Sequence, residues 1–212
     1  RGFTAHASSG VSARGTYAGV VEKIPYLKDL GITAVELMPV TEFDEIMMSS
    51  SGSSFHNAKQ EPTGYVNYWG YGPSYLYAVK TAYASRETMS AEGEFKTLVR
   101  ELHKAGIECI PEMYFTGKEL PGEILSVLRY WVEEYHVDGF HLTGFPDLSL
   151  AAEDPFLRRT KLFAENWNEV MNRRPKQGYI TPGDGVVSVE EKNLAEYNIC
   201  LLYTSPSPRD MR

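Results

Sequence analysis

Cysteine is nearly missing. Two residues among 212 cannot build a disulfide framework, which excludes the small cystine-stapled folds. Cys109 lies in the apolar run GIECI and reads as a small core hydrophobe in reducing surroundings rather than as a reactive thiol. Long apolar runs are missing too: none approaches the about 20 residues of a membrane span, and no signal-peptide pattern opens the chain. The first residue is Arg1 rather than methionine, so the native N-terminus is expected upstream. No Lys/Arg-rich run occurs and the net charge is −7, which leaves a nucleic acid or an anionic membrane without an electrostatic footprint. A neutral partner fits better. Neither G-x-G-x-x-G nor G-x-x-x-x-G-K-[ST] follows any apolar run, and no His/Cys/Asp spacing suggests a metal site. Neither metal nor cofactor is expected.

The balance of what is there, 42% hydrophobic and 23% charged residues, is that of a globular protein. Four helix-then-strand units can be read in the first 165 residues. Val20, Ile24, Leu27 and Leu30 recur at helical spacing, Gly31 stops the helix, and ITAVELMPV follows as a buried strand. The stripe Phe95, Leu98, Val99 and Leu102 ends at Ala105-Gly106, before the run IECIPEMYF. Pro121 suits a first helical turn, Ile124, Leu128, Trp131 and Tyr135 face one way, and VDGFHL is the next strand. A short helix over residues 154 to 159 precedes KLFAE. Strands apolar on both faces that alternate with helices predict a parallel sheet covered by helices, either doubly wound or a (β/α) barrel. The missing phosphate loops favour the barrel, and both folds place their sites at strand C-terminal ends.

Residues 41 to 85 hold the tract MMSSSGSSFHNAKQ and then NYWGYGPSYLYA, more loop than a packing connection requires and of a kind that builds binding sites. After AEYN the sequence becomes ICLLYTSPSPRDMR, without helical or strand period. Residues 199–212 read as a non-native tail, which leaves residues 1–198 as the part that folds and makes the chain a fragment.

In order along the chain, RGFT, GTYAGVVEKIPYLKDLGITAVELMPVTEFDE, NYWGYGPSYLYA, EFKTLVRELHKAGIECI, YWVEEYHVDGFH and TKLFAEN resemble landmarks of glycoside hydrolase family 13, the α-amylase superfamily. Within it they are most similar to the bacterial pullulanase, isoamylase and glycogen-debranching branch. The resemblance implies an α/β fold, a partial (β/α)8 TIM barrel of about strands 1 to 5, with RGFT ending the first strand and a long loop insertion after the second. It also implies a cytoplasmic protein acting on an α-glucan or maltooligosaccharide without a cofactor.

The same resemblance assigns the site. Its fourth strand carries G-F-R-F-D, where the aspartate attacks the sugar and the arginine keeps that carboxylate ionised. Here Gly139-Phe140-His141-Leu142-Thr143 occupies those positions, so His141 replaces the arginine and Thr143 the nucleophile. A threonine hydroxyl carries no charge and attacks poorly without an adjacent base. His141 as that base lacks an orienting carboxylate identifiable in sequence, and the preferred reading has both residues filling the barrel mouth with hydrogen bonds. The third-strand pattern D-x-x-x-N-H becomes Glu112-Met-Tyr-Phe-Thr116-Gly117: Glu112 keeps an acid, while the substrate-contacting asparagine and histidine are replaced. Glu165 in KLFAENW takes the general-acid position. Asp147 in FPDL reads as a turn residue before a displaced carboxylate. Tyr71 matches the tyrosine that stacks on sugar, and Trp69 adds aromatic surface beside it but reads chiefly as a packing residue. Glu36 in VELMPV reads as a structural hydrogen-bonding group in the barrel wall, and His103 and His136 as solvated helix ends.

Two functions from different classes follow. One is an α-glucan glycoside hydrolase of the debranching type. The other, motivated by Thr143, His141, Thr116 and Gly117 together, is a catalytically inactive homologue that binds glucan or scaffolds a partner. A third possibility, a fragment without independent function, rests on the tail and the short barrel.

Overall fold

The computed structural model describes residues 1–51, 59–85, 90–144, 146, 148, 150–151, 154–164 and 194–196. Gly2–Ala5 form a short helix, α1, where the end of a first strand is expected. Thr16 then caps α2 (Tyr17–Glu22), its hydroxyl accepting the Gly19 N–H at 3.1 Å. The single helix predicted over Val20 to Leu30 breaks at Lys23, and α3 (Ile24–Asp29) starts anew. Pro25 explains the break: without an N–H it fits only a first helical turn. Val20, Ile24 and Leu27 are buried as expected, but Leu30 is 61% exposed because the helix has ended before it.

Strand β1 (Ala34–Leu37) leads into the insertion, which is more ordered than a loop. It contains β2 (Thr41–Phe43), β3 (Ile46–Ser51), β4 (Lys59–Val66) and β5 (Ser74–Val79). β2 pairs with β5 and β3 with β4, both antiparallel. The alternation then resumes with α4 (Ala91–Lys104), β6 (Glu108–Phe115), α5 (Pro121–Tyr135) and β7 (Gly139–Gly144). β8 (Lys161–Ala164) and β9 (Leu194–Glu196) follow. β1, β6, β7, β8 and β9 form one sheet in that order, every neighbouring pair parallel. Spatial order that follows chain order is the wall of a barrel, because a doubly wound sheet reverses at a switch point.

The two faces of this wall differ. Cys109, Met113 and Phe115 of β6 and Phe140 and Leu142 of β7 join the helix-side core. Their alternates Ile110, Glu112, Tyr114, His141 and Thr143 therefore share the opposite face. Helix-side packing centres on Phe95, whose ring lies edge-on to Tyr17, Trp131 and Tyr135 at 5.3–5.6 Å. Trp131 donates its Nε1–H to the Leu76 carbonyl at 2.7 Å, tying the insertion to this layer. Cys109 is fully buried, and burial pushes its thiol far above the usual range. It is the inert core residue that its setting in GIECI predicts.

Candidate functional site at the strand ends

Three strands deliver polar side chains to one place. The β6–β7 register sets Glu112 opposite His141 and Tyr114 opposite Thr143, while β1 aligns Glu36 with Ile110, two residues before Glu112. Because the side-chain period is two, these residues emerge on the same face toward the C-terminal ends of parallel strands. Glu36 Oε1 accepts the Nδ1–H of His141 at 2.6 Å. One ligating atom from each of Glu36, Glu112 and His141 lies within 4.8 Å of the others. Glu36 is the hydrogen-bonding group of the barrel wall that the sequence reading expects, but its side chain is 47% exposed at the mouth, where it is the orienting carboxylate for His141. Sequence could not pair residues 105 positions apart, although one acid inside the apolar run VELMPV was a signal.

Glu112 is only 4% exposed. Burial pushes its carboxyl above the ordinary range, against the opposing influence of the Tyr71 hydroxyl, the His141 ring and the Thr143 hydroxyl. Among the described residues, Glu112 Oε1 and Thr143 Oγ1 are buried without a hydrogen-bond partner. The Thr143 hydroxyl is thus close enough to influence the carboxyl without reaching bonding geometry.

An aromatic wall stands beside this cluster. Tyr71 is 44% exposed, and its ring lies tilted on that of Tyr114 at 5.4 Å. Its loop is fixed by Asn67, which donates to the Tyr71 carbonyl at 3.0 Å and accepts the Gly70 N–H at 2.9 Å. Gly70 has φ 81°, and a Cβ there would meet the Phe43 ring at 2.7 Å. Trp69 is not the packing residue expected: it is exposed, edge-on to Tyr68 at 5.1 Å.

The turn after β6 differs from the Asn-His pair of the resemblance. Glu119, which sequence reasoning missed, accepts from the Thr116 N–H at 3.2 Å, the Thr116 hydroxyl at 2.8 Å and the Gly117 N–H at 3.0 Å. Gly117 adopts φ 83°, a conformation that would strain a histidine. His103 is not simply solvated, since its Nε2 lies 2.8 Å from Asp138 Oδ2, which also accepts the Cys109 N–H at 2.8 Å. His136 caps α5 with φ 56°. Glu165, Asp147 and the tail 199–212 lie outside the described residues.

A consecutive parallel barrel wall, long insertion and acid-bearing strand ends define the class of (β/α)-barrel proteins whose sites form at the strand C-termini. The family model of the alpha amylase catalytic domain matches residues 3–115, and the chain belongs to that family, in its isoamylase- and GlgX-like branch. It is 32% identical to isoamylase 3, chloroplastic, of Oryza sativa subsp. japonica, across 79% of this chain and 29% of that protein. It is 33% identical to a glycogen operon protein GlgX homolog of Mycobacterium tuberculosis, across 77% of this chain and 30% of that protein. The chain therefore spans less than a third of either relative. In fold it resembles the catalytic module of the glycogen-degrading pneumococcal virulence factor SpuA, with a TM-score of 0.59 at 21% identity over 78% of this chain and 30% of the other. Pullulanase type I from Bacillus subtilis, complexed with maltose, gives 0.57 at 20% identity over 78% and 30%.

Proposed function

We propose that this chain is the sugar-facing part of an α-glucan glycoside hydrolase of the debranching type, acting on glycogen, starch or maltooligosaccharides. The observation that carries this reading is the exposed Tyr71 ring, tilted on Tyr114 beside the buried Glu112 carboxyl. An aromatic face next to convergent polar groups is the arrangement of a ligand-binding mouth, and flat rings suit the apolar faces of glucose. The names of the relatives, isoamylase and glycogen operon protein, agree with it. Chemically, retaining hydrolysis asks for two carboxyl groups about 5–5.5 Å apart, one donating a proton to the leaving oxygen and one attacking the anomeric carbon. By the family resemblance, Glu165 would take the first of these positions and Thr143 the second.

Thr143, together with the Glu119-closed turn, favours a second reading in which the mouth binds glucan without turnover. Both are tested by assaying the complete protein on glycogen, pullulan and maltooligosaccharides, beside Glu165→Gln and Thr143→Asp variants. Release of reducing sugar that Glu165→Gln abolishes supports the hydrolase. Saturable maltooligosaccharide binding without release supports the second reading, and absence of both overturns the glucan reading altogether.

A further inference from the structure

We propose that Glu36, Glu112 and His141 form a binding site for one divalent transition-metal cation, of the Zn2+ or Mn2+ type, at the barrel mouth. The three residues arrive from β1, β6 and β7, and their ligating atoms lie within 4.8 Å of one another. Nothing in the local sequence spacing announces them, because parallel pairing rather than a short motif brings them together. Zn2+ holds nitrogen and oxygen ligands at about 2.0–2.2 Å, so the donor atoms need approach only modestly, within the reach of two glutamate side chains. The cation takes the place of the proton that Glu36 and His141 share across 2.6 Å. Two carboxylates balance its charge.

A second observation points to a ligand independently of the cluster's composition. Glu112 and Thr143 are each 4% exposed, and Glu112 Oε1 and Thr143 Oγ1 have no hydrogen-bond partner among the described residues. A buried polar atom without a partner is costly, more so when charged, and such groups are rare unless an ion or water serves them. A cation serves Glu112 directly, and a water on its open coordination position gives the Thr143 hydroxyl a partner. The donor set decides the class. One imidazole and two carboxylates suit Zn2+, which takes mixed nitrogen and oxygen ligands, and Mn2+ through the carboxylates, whereas Ca2+ demands six to eight oxygens and Mg2+ keeps an octahedral, largely hydrated shell.

The test does not depend on the glucan reading, since it uses metal alone. The full chain is stripped with chelator and titrated with Zn2+ and, separately, Mn2+ by calorimetry, with metal content measured after gel filtration. One cation per chain is expected, with affinity falling at least about tenfold in Glu112→Gln and in His141→Ala. Glu36→Gln, at a half-exposed side chain, keeps the test valid should the buried variants fail to fold, and it is expected to weaken binding similarly. His103→Gln, remote from the cluster, is expected to bind like the parent. The absence of saturable binding overturns the proposal, as does binding that Glu36→Gln leaves unchanged. Preference for Ca2+ or Mg2+ over both transition metals overturns its chemical class.

Discussion

Tyr71 and Gly144 show how single residues set the mouth. The Tyr71 ring is the accessible element beside the acids, so Tyr71→Ala is expected to weaken maltooligosaccharide binding by about 1 kcal/mol, roughly fivefold. Tyr71→Phe, which keeps the ring, should bind nearly as the parent does, and fluorescence titration of both variants checks this. Gly144 follows Thr143 with φ 82°, and a Cβ there would lie 2.1 Å from the Phe115 carbonyl oxygen. Gly144→Ala is therefore expected to cost more than about 2 kcal/mol, read as a lower urea midpoint, because neither the backbone angle nor the neighbouring strand can yield cheaply. At this scale the sequence was informative about residue identity and silent about contact. Glu112, His141 and Thr143 were singled out together and are together. Glu36 is a hydrogen-bonding group of the wall strand, as its setting in VELMPV suggests, but its partner His141 comes from another strand and is not legible in the sequence.

Element by element, legibility followed the strength of local patterning. Every predicted inward residue of α4 and α5 is buried, since long amphipathic stripes bury one face whatever the neighbours are. Phe95 joins α2, α4 and α5 through ring contacts, so Phe95→Ala should cost about 3–5 kcal/mol in chemical denaturation. Ser90, whose hydroxyl accepts the Gly93 N–H at 3.2 Å, should cost only about 1 kcal/mol on replacement by alanine. The insertion was less legible. Its strands pair antiparallel within the segment, and the Ser/Gly-rich composition hid their period. Lys80, just after β5, donates to Glu42 Oε1 at 2.6 Å and the Phe43 carbonyl at 2.7 Å, joining β5 to β2. Burial alone would raise the Glu42 carboxyl, but bonds from Lys80 and Thr81 overcome it and hold it below the ordinary range. A depressed folded value means stability that is full above the unfolded value of about 4.3 and lost as pH falls through the folded one. Thermal melts from pH 7 to pH 3 should show this loss, and Glu42→Gln should remove its share of it.

For the whole molecule, composition, spacing and turn residues were enough to predict alternating helices and apolar strands, and the order of landmarks was enough to indicate the barrel family. These features are written in windows of ten to twenty residues, where periodicity and Gly or Pro positions act locally. Five parallel strands in chain order agree with that reading. The tertiary structure alone decided which polar groups meet. The hydrogen-bond ladder fixes Glu112 opposite His141 and brings Glu36 within 2.6 Å of the same ring, and a one-residue slip would turn those side chains into the helix layer. The sequence by itself determined the residue types available at the mouth. Their joining into one cluster depended on strand register, which is set by the pairing of segments far apart in the chain.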